Sequence, residues 1–117
     1  MTVKEFYDKI GGSYEDAMNQ LASESRILKY LGMFLDDDSF PTFKKGMESG
    51  DMQLAFRGIH TLKSVSASIG LLRLKELSFS ITEDLRDGKD IASAKKKYPD
   101  ALVAYDIVIK EFKSLLG

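Results

Sequence analysis

Histidine occurs once in the 117 residues, at position 60, inside the stretch AFRGIHTLKSVSASIG that spans residues 55–70. Lys63 and Ser64 follow it by three and four residues, and Phe56 precedes it by four. A neutral imidazole nitrogen is a nucleophile near physiological pH, because the free side chain titrates at about 6.5. It can attack phosphorus, and the phosphoramidate so formed carries anionic oxygens that a lysine ammonium holds as a point charge. Such a transfer needs positioning and charge neutralisation more than covalent help from the protein. The chain has neither a G-x-x-x-x-G-K-S/T loop nor a kinase-like Gly-rich loop, so donor and acceptor must come from other molecules.

Whether the imidazole is reachable depends on the helix that carries it. At about 100° per residue, Leu62 and Ile69 lie opposite His60, with Gly58 and Val65 near them and Leu54 and Ala55 on the flanks. That is the expected buried stripe. Gln53, Phe56, Arg57, Lys63, Ser64 and Ala67 all fall within roughly 60° of the histidine, which therefore projects from the polar face. A lone surface histidine is ordinarily just solvated. Here Ser64 and Ala67 are small enough to leave the ring approachable, and Phe56 puts an apolar ring where solubility favours charge. Lys63 stands within reach of an anion on the ring. These neighbours predict His60 as the reactive group and Lys63 as its electrostatic support. Gln53, Phe56, Arg57, Ser64 and Ala67 are the expected docking surface for a partner. Gly58, on the opposite side, is expected to admit another helix closely.

The elements that position this face are all helical. Val3, Phe6, Tyr7 and Ile10 make one stripe, stopped at Gly11-Gly12. Ser13 opens a short helix to about Leu21. Ser23 caps another, with Ile27, Leu28, Leu31, Phe34 and Leu35 inward. DDDSFP breaks it, with Asp38 or Ser39 as the next cap and Pro41 in the first turn. That helix runs to about Ser49 and ends at Gly50. Asp51 starts the histidine helix, which ends at Gly70. The following segment turns Leu74, Leu77, Ile81 and Leu85 inward and stops at Gly88. The last shows Leu102, Tyr105, Ile109, Phe112 and Leu116, and Pro99 either kinks it or marks its start. Period-two strand patterns are absent. Short connections favour antiparallel neighbours, so the expectation is one all-α domain over residues 1–117. Its last four helices form an antiparallel up-down four-helix bundle, with additional short N-terminal helices packed against it.

Composition narrows the function classes. Seventeen basic and eighteen acidic residues give a net charge of −1, which provides no basic field for nucleic acid or anionic lipid. No cysteine is present, so thiolate metal sites and disulfides are excluded. The longest apolar runs, such as YLGMFL, fall far short of the ~20 residues that span a bilayer. The opening residues carry no basic n-region followed by an apolar h-region. A cytoplasmic monomer, beginning at its own Met1, is the expectation. Asp36, Asp37 and Asp38 lack EF-hand spacing and read as cap and dipole partners. Lys95, Lys96 and Lys97 are expected to be solvated. Glu83 and Asp84 point apart and make a poor acid–base pair.

HTLKSVSASIG resembles the His-x-Leu-Lys-Gly signature of histidine-containing phosphotransfer (HPt) domains, which closes with a glycine ten residues after the histidine, here Gly70. The similarity runs on through YEDAMNQL, LGMFLDD, MESGDMQLAFRGIHTLK and TEDLRDGKD, over most of the chain, as in stand-alone members. The resemblance implies a phosphorelay intermediate in two-component signalling. His60 would accept a phosphoryl group from a receiver-domain aspartate and pass it to another receiver, with Lys63 as its basic neighbour. It implies a phosphoryl carrier rather than an enzyme, with no cofactor of its own and Mg²⁺ on the partner receiver. Response-regulator receiver domains or a hybrid histidine kinase are the implied partners. The chain departs from the signature at Ser64, where the family usually has glycine, and a hydroxyl there bears on transfer rate and partner choice. The alternative is a non-phosphorylated helical module that binds and inhibits a receiver or histidine kinase. A metal or haem bundle would need inward-facing ligands, and a hydrolase a nucleophile–base pair. The sequence shows neither.

Overall fold

The computed structural model describes residues 1–117 as seven α-helices and one 3-10 turn, without strands. They are α1 (Val3–Ile10), α2 (Tyr14–Leu21), α3 (Glu24–Leu35), α4 (Ser39–Ser49), α5 (Met52–Ser68), α6 (Leu72–Leu85), the 3-10 turn Arg86–Gly88 and α7 (Ile91–Leu116). Local chemistry sets most starts. The side chains of Ser13, Ser23, Asp51 and Asp90 each accept the backbone N–H three residues on, satisfying a donor the helix cannot. Gly11 and Gly50 end α1 and α4 in the left-handed conformation. At the start of α4 the N-cap residue is Asp38, one of the two expected, but its side chain makes no cap hydrogen bond. Asp38 has φ −94° and ψ 3° rather than extended backbone, so its carboxylate does not fold back. Asp37 Oδ2 accepts the Ser39 N–H instead, at 3.0 Å.

Cross-helix neighbours fix the bundle's direction. Gly46 meets Ala55 and Gly58 meets Phe43, so α4 and α5 run antiparallel. Lys63 lies over Phe79 and Arg86 over Phe56, so α5 and α6 do too. Phe40 stacks on Tyr105, ring centroids 4.0 Å apart, and Phe43 meets Tyr98 edge-on, which sets α7 antiparallel to α4. The last four helices thus form the up-down bundle. The closest seam is α4–α5. A Cβ on Gly58 would lie 2.4 Å from the Phe43 nitrogen and 2.7 Å from the Ser39 carbonyl oxygen, so glycine there is a packing requirement.

The stripes differ from the periodic expectation in four helices: Leu28 and Leu35 of α3 and Leu77 of α6 are only half-buried, with Ser78 and Thr82 buried in α6, and α5 and α7 depart further. In α5, Ile59 and Ser66 are buried, whereas Leu54 and Val65 are only half-buried. This helix packs against both α4 and α6, so its buried arc is wider than one stripe. Ser66 tolerates burial because its hydroxyl donates to the Leu62 carbonyl. In α7 the buried residues are Ala94, Ala101, Ala104, Val108 and Phe112. Leu102, Tyr105 and Ile109 flank them, and Leu116 is 61% exposed. Here α6, α1 and α4 all approach, and the alanines let them come close. Pro99 lies inside α7, which starts at Ile91. A proline there costs roughly 3 kcal/mol of local helix stability. Tertiary contacts just before it anchor the helix to α4 and to α6. Tyr98 donates to Glu48 Oε2 at 2.8 Å, and Lys97 Nζ binds Asp84 Oδ2 at 2.8 Å and Ser80 Oγ at 2.6 Å. Lys97 is therefore a clasp between α6 and α7 rather than a solvated charge.

The N-terminal helices brace the far end of the histidine helix. Phe6 packs edge-on against Phe112, seating α1 on α7. Gly70, with φ +71°, turns the chain from α5 to α6, and a Cβ there would meet the Ser13 carbonyl oxygen at 2.7 Å. The Ser13 N–H also donates to the Gly70 carbonyl at 2.9 Å. Buried Tyr7 donates to the neighbouring Ile69 carbonyl at 2.7 Å. Tyr7→Phe leaves that buried acceptor unpaired and is expected to cost about 1–3 kcal/mol in urea unfolding. Burial raises the Tyr7 phenol above its ordinary value of 10.0. The unfolded chain therefore loses this proton first. The resulting stability is fully present below pH ~10 and is lost as pH rises beyond it. The alkaline fall in unfolding midpoint should be shallower in Tyr7→Phe than in the wild type, which tests this assignment.

Candidate functional site

His60 stands exposed near the middle of α5, on the face turned away from the core. Gln53, Arg57 and Ser64 are exposed around it, while Phe56, Lys63 and Ala67 are half-buried. The six do not form one uniform patch. Phe56 and Lys63 lean toward α6, and Arg57 faces α4. There Arg57 lines a small polar cleft with Asp38, Ser39, Thr42 and Thr61. Gln53 and Phe56 share a groove of about 490 Å³ with Met52, Leu85 and Arg86. Toward the C-terminal end of α5, the Ala67 carbonyl accepts Gln20 Nε2 of α2 at 2.9 Å, which closes that edge of the surface.

The imidazole packs against Phe56, ring centroids 5.6 Å apart and planes tilted by 40°. Phe56 is less open than expected, because the Arg86 guanidinium sits 5.5 Å above its ring. Lys63 Nζ lies 5.6 Å from the centroid of Phe79, a ring on α6 that is 54% exposed. Between these two pairs, Glu83 Oε2 accepts from Arg86 Nε at 3.0 Å. The Arg86 hydrogen bond holds the Glu83 carboxyl below its ordinary range, and the charges of Arg86, Lys63 and Lys89 act in the same direction. Arg86 and Glu83 are thus an ion pair on the α6 side of this face, with the Lys63 charge acting on the same carboxylate.

Phe79, Glu83 and Arg86 are site neighbours that the single-helix reading missed. Their signal was present in the sequence. They stand four and three residues apart, Phe79 and Glu83 on the face of α6 opposite the Leu74–Ile81–Leu85 stripe, where a phenylalanine has no core to fill, and Arg86 just past the helix end. Asp84, adjacent to Glu83, points instead to Lys97 on α7, so the two carboxylates do not share a site.

Chemically, the arrangement offers one exposed nucleophile, an ammonium and a guanidinium on its α6 side, and small side chains at Ser64 and Ala67 that leave an approach open. No helix is long and apolar enough to cross a membrane. Searches of curated proteins and of solved structures returned no match. The family model for the Hpt domain matches residues 15–104 of the 117. Hpt domains are phosphocarrier modules of histidine phosphotransfer in two-component signalling, and they interact with receiver domains and kinases. With that match spanning α3 to α6 entire, the histidine helix included, the chain belongs to the Hpt domain family.

Proposed function

We propose that this protein is a phosphorelay intermediate that takes a phosphoryl group onto His60 from one receiver aspartate and delivers it to another. An imidazole nitrogen lone pair forms the N–P bond as the acyl phosphate P–O bond breaks. The aspartate carboxylate leaves, and the ring's displaced proton goes to solvent. Onward transfer is the reverse on a second aspartate. The observation that carries the reading is the exposed imidazole with Lys63 one turn away, on a face whose small residues admit a partner. Mg²⁺ on the receiver would neutralise the phosphoryl charge, and this chain contributes Lys63 from the other side.

The test is incubation with a phosphorylated receiver, followed by a search for acid-labile label on this chain. Receiver binding without any label would select the alternative, an inhibitory module of the same fold, for which Ser64 in place of the family's glycine would be the meaningful change. Lys63→Ala is expected to slow transfer about tenfold, the worth of one charge-assisted contact to the phosphoryl oxygens. Its circular dichroism should match the wild type, and a large loss of helicity would contradict a surface role.

A further inference from the structure

Phe79 is an aromatic ring in solvent on a helix whose core face is already filled by Leu74, Ser78, Ile81, Thr82 and Leu85. The ammonium of Lys63, from the neighbouring helix, sits 5.6 Å from its centroid. Lys63 is half-buried, so its stem also lies along the α5–α6 seam rather than in open solvent. The same motif occurs again on the other side of Glu83, where Arg86 covers Phe56 and Phe56 abuts His60. Lys63 and Arg86, the cations on the α6 side of this face, are both seated on rings.

We infer that Phe79 is a positioning residue for Lys63, its ring face holding the ammonium beside His60 before any phosphoryl group arrives. The functional consequence rests on the reading of His60 as a phosphoryl acceptor, whereas the pairing itself does not. A lysine stem free in water loses most of its rotamer freedom when its ammonium settles on an anion. One already ordered against α6 has lost much of that freedom beforehand. A cation–ring contact at an exposed site is weak, so the ammonium exchanges it readily for the stronger contact to phosphoryl oxygens. An apolar docking role for Phe79 would need only its bulk, and that difference makes the inference testable.

Phe79→Leu keeps an apolar side chain and removes the ring quadrupole, whereas Phe79→Tyr keeps both. Phosphoramidate serves as a small phosphoryl donor that needs no protein docking. The His60 nitrogen forms the N–P bond as the donor's P–N bond breaks, and ammonium leaves with the ring's proton. Phe79→Leu should slow this labelling about threefold, Phe79→Tyr should restore it, and Phe79→Leu should add nothing in a Lys63→Ala background. Independently of any phosphoryl group, the Lys63 side-chain protons should show ring-current upfield shifts by NMR. Those shifts should vanish in Phe79→Leu and persist in Phe79→Tyr. Lys63 shifts unchanged in Phe79→Leu, or equal slowing by that change with and without Lys63, would overturn the inference. Shifts as expected, with no label reaching wild-type His60, would overturn the phosphoryl reading and leave the pairing standing.

Discussion

Replacing His60 with glutamine is expected to abolish acid-labile labelling by a phosphorylated receiver, a fall of roughly 100-fold or more, to background. Glutamine keeps a polar side chain but has no nucleophilic nitrogen, and no second histidine exists to take over. The fold should be indifferent. His60 is exposed, its one aromatic neighbour is Phe56, and a substitution of this kind moves unfolding free energy by no more than about 0.5 kcal/mol. The measurement pairs label incorporation with a urea unfolding curve on the same preparation. Equal labelling of wild type and variant would show that His60 is not the acceptor, and a collapse of stability would show that the ring is structural.

The second large effect lies on the opposite side of the same helix. Gly58→Ala places a methyl group 2.4 Å from the Phe43 nitrogen, 2.7 Å from the Ser39 carbonyl oxygen and 2.9 Å from the Phe43 Cα. All three are backbone atoms, so no side chain can rotate away, and α4 itself must retreat from α5. Alanine is the better helix former by about 1 kcal/mol, but the overpacking term wins. A net loss of about 3 kcal/mol is expected, a large share of the 5–15 kcal/mol typical of a whole domain. Gly32→Ala in α3 is the internal control. Its new Cβ meets nothing within 4 Å, so the propensity gain is unopposed and stability should rise slightly. Matching urea midpoints for the two variants would refute the close α4–α5 approach.

Much of this was legible from residue order alone. Caps at Ser13, Ser23 and Asp51 and stops at Gly11 and Gly50 are local hydrogen-bond and backbone chemistry, and the helices begin and end there. The outward direction of His60 followed from 100° per residue, because one helix's rotation about its own axis is carried by its apolar spacing. Gly58 read as a contact glycine for the same reason. The failures share a different cause. Leu102, Tyr105 and Ile109 are only half-buried and Leu116 is exposed because three other helices converge on the alanines of α7, and no period within α7 records how many neighbours it will have. At α4 the N-cap residue is Asp38, as read, but Asp37 supplies the side-chain hydrogen bond, because the loop's backbone turn decides which carboxylate faces the helix end.

The site divides along the same line. Sequence alone determined which residue could act, that it would face outward, and that Lys63 would share its face, since all of this is contained in one helical turn. Only the tertiary structure decided that Lys63 rests on Phe79 and that Arg86 covers Phe56. Those pairs join residues more than fifteen positions apart. Their distances depend on how α6 is set against α5, which close packing of buried side chains dictates and local periodicity does not encode.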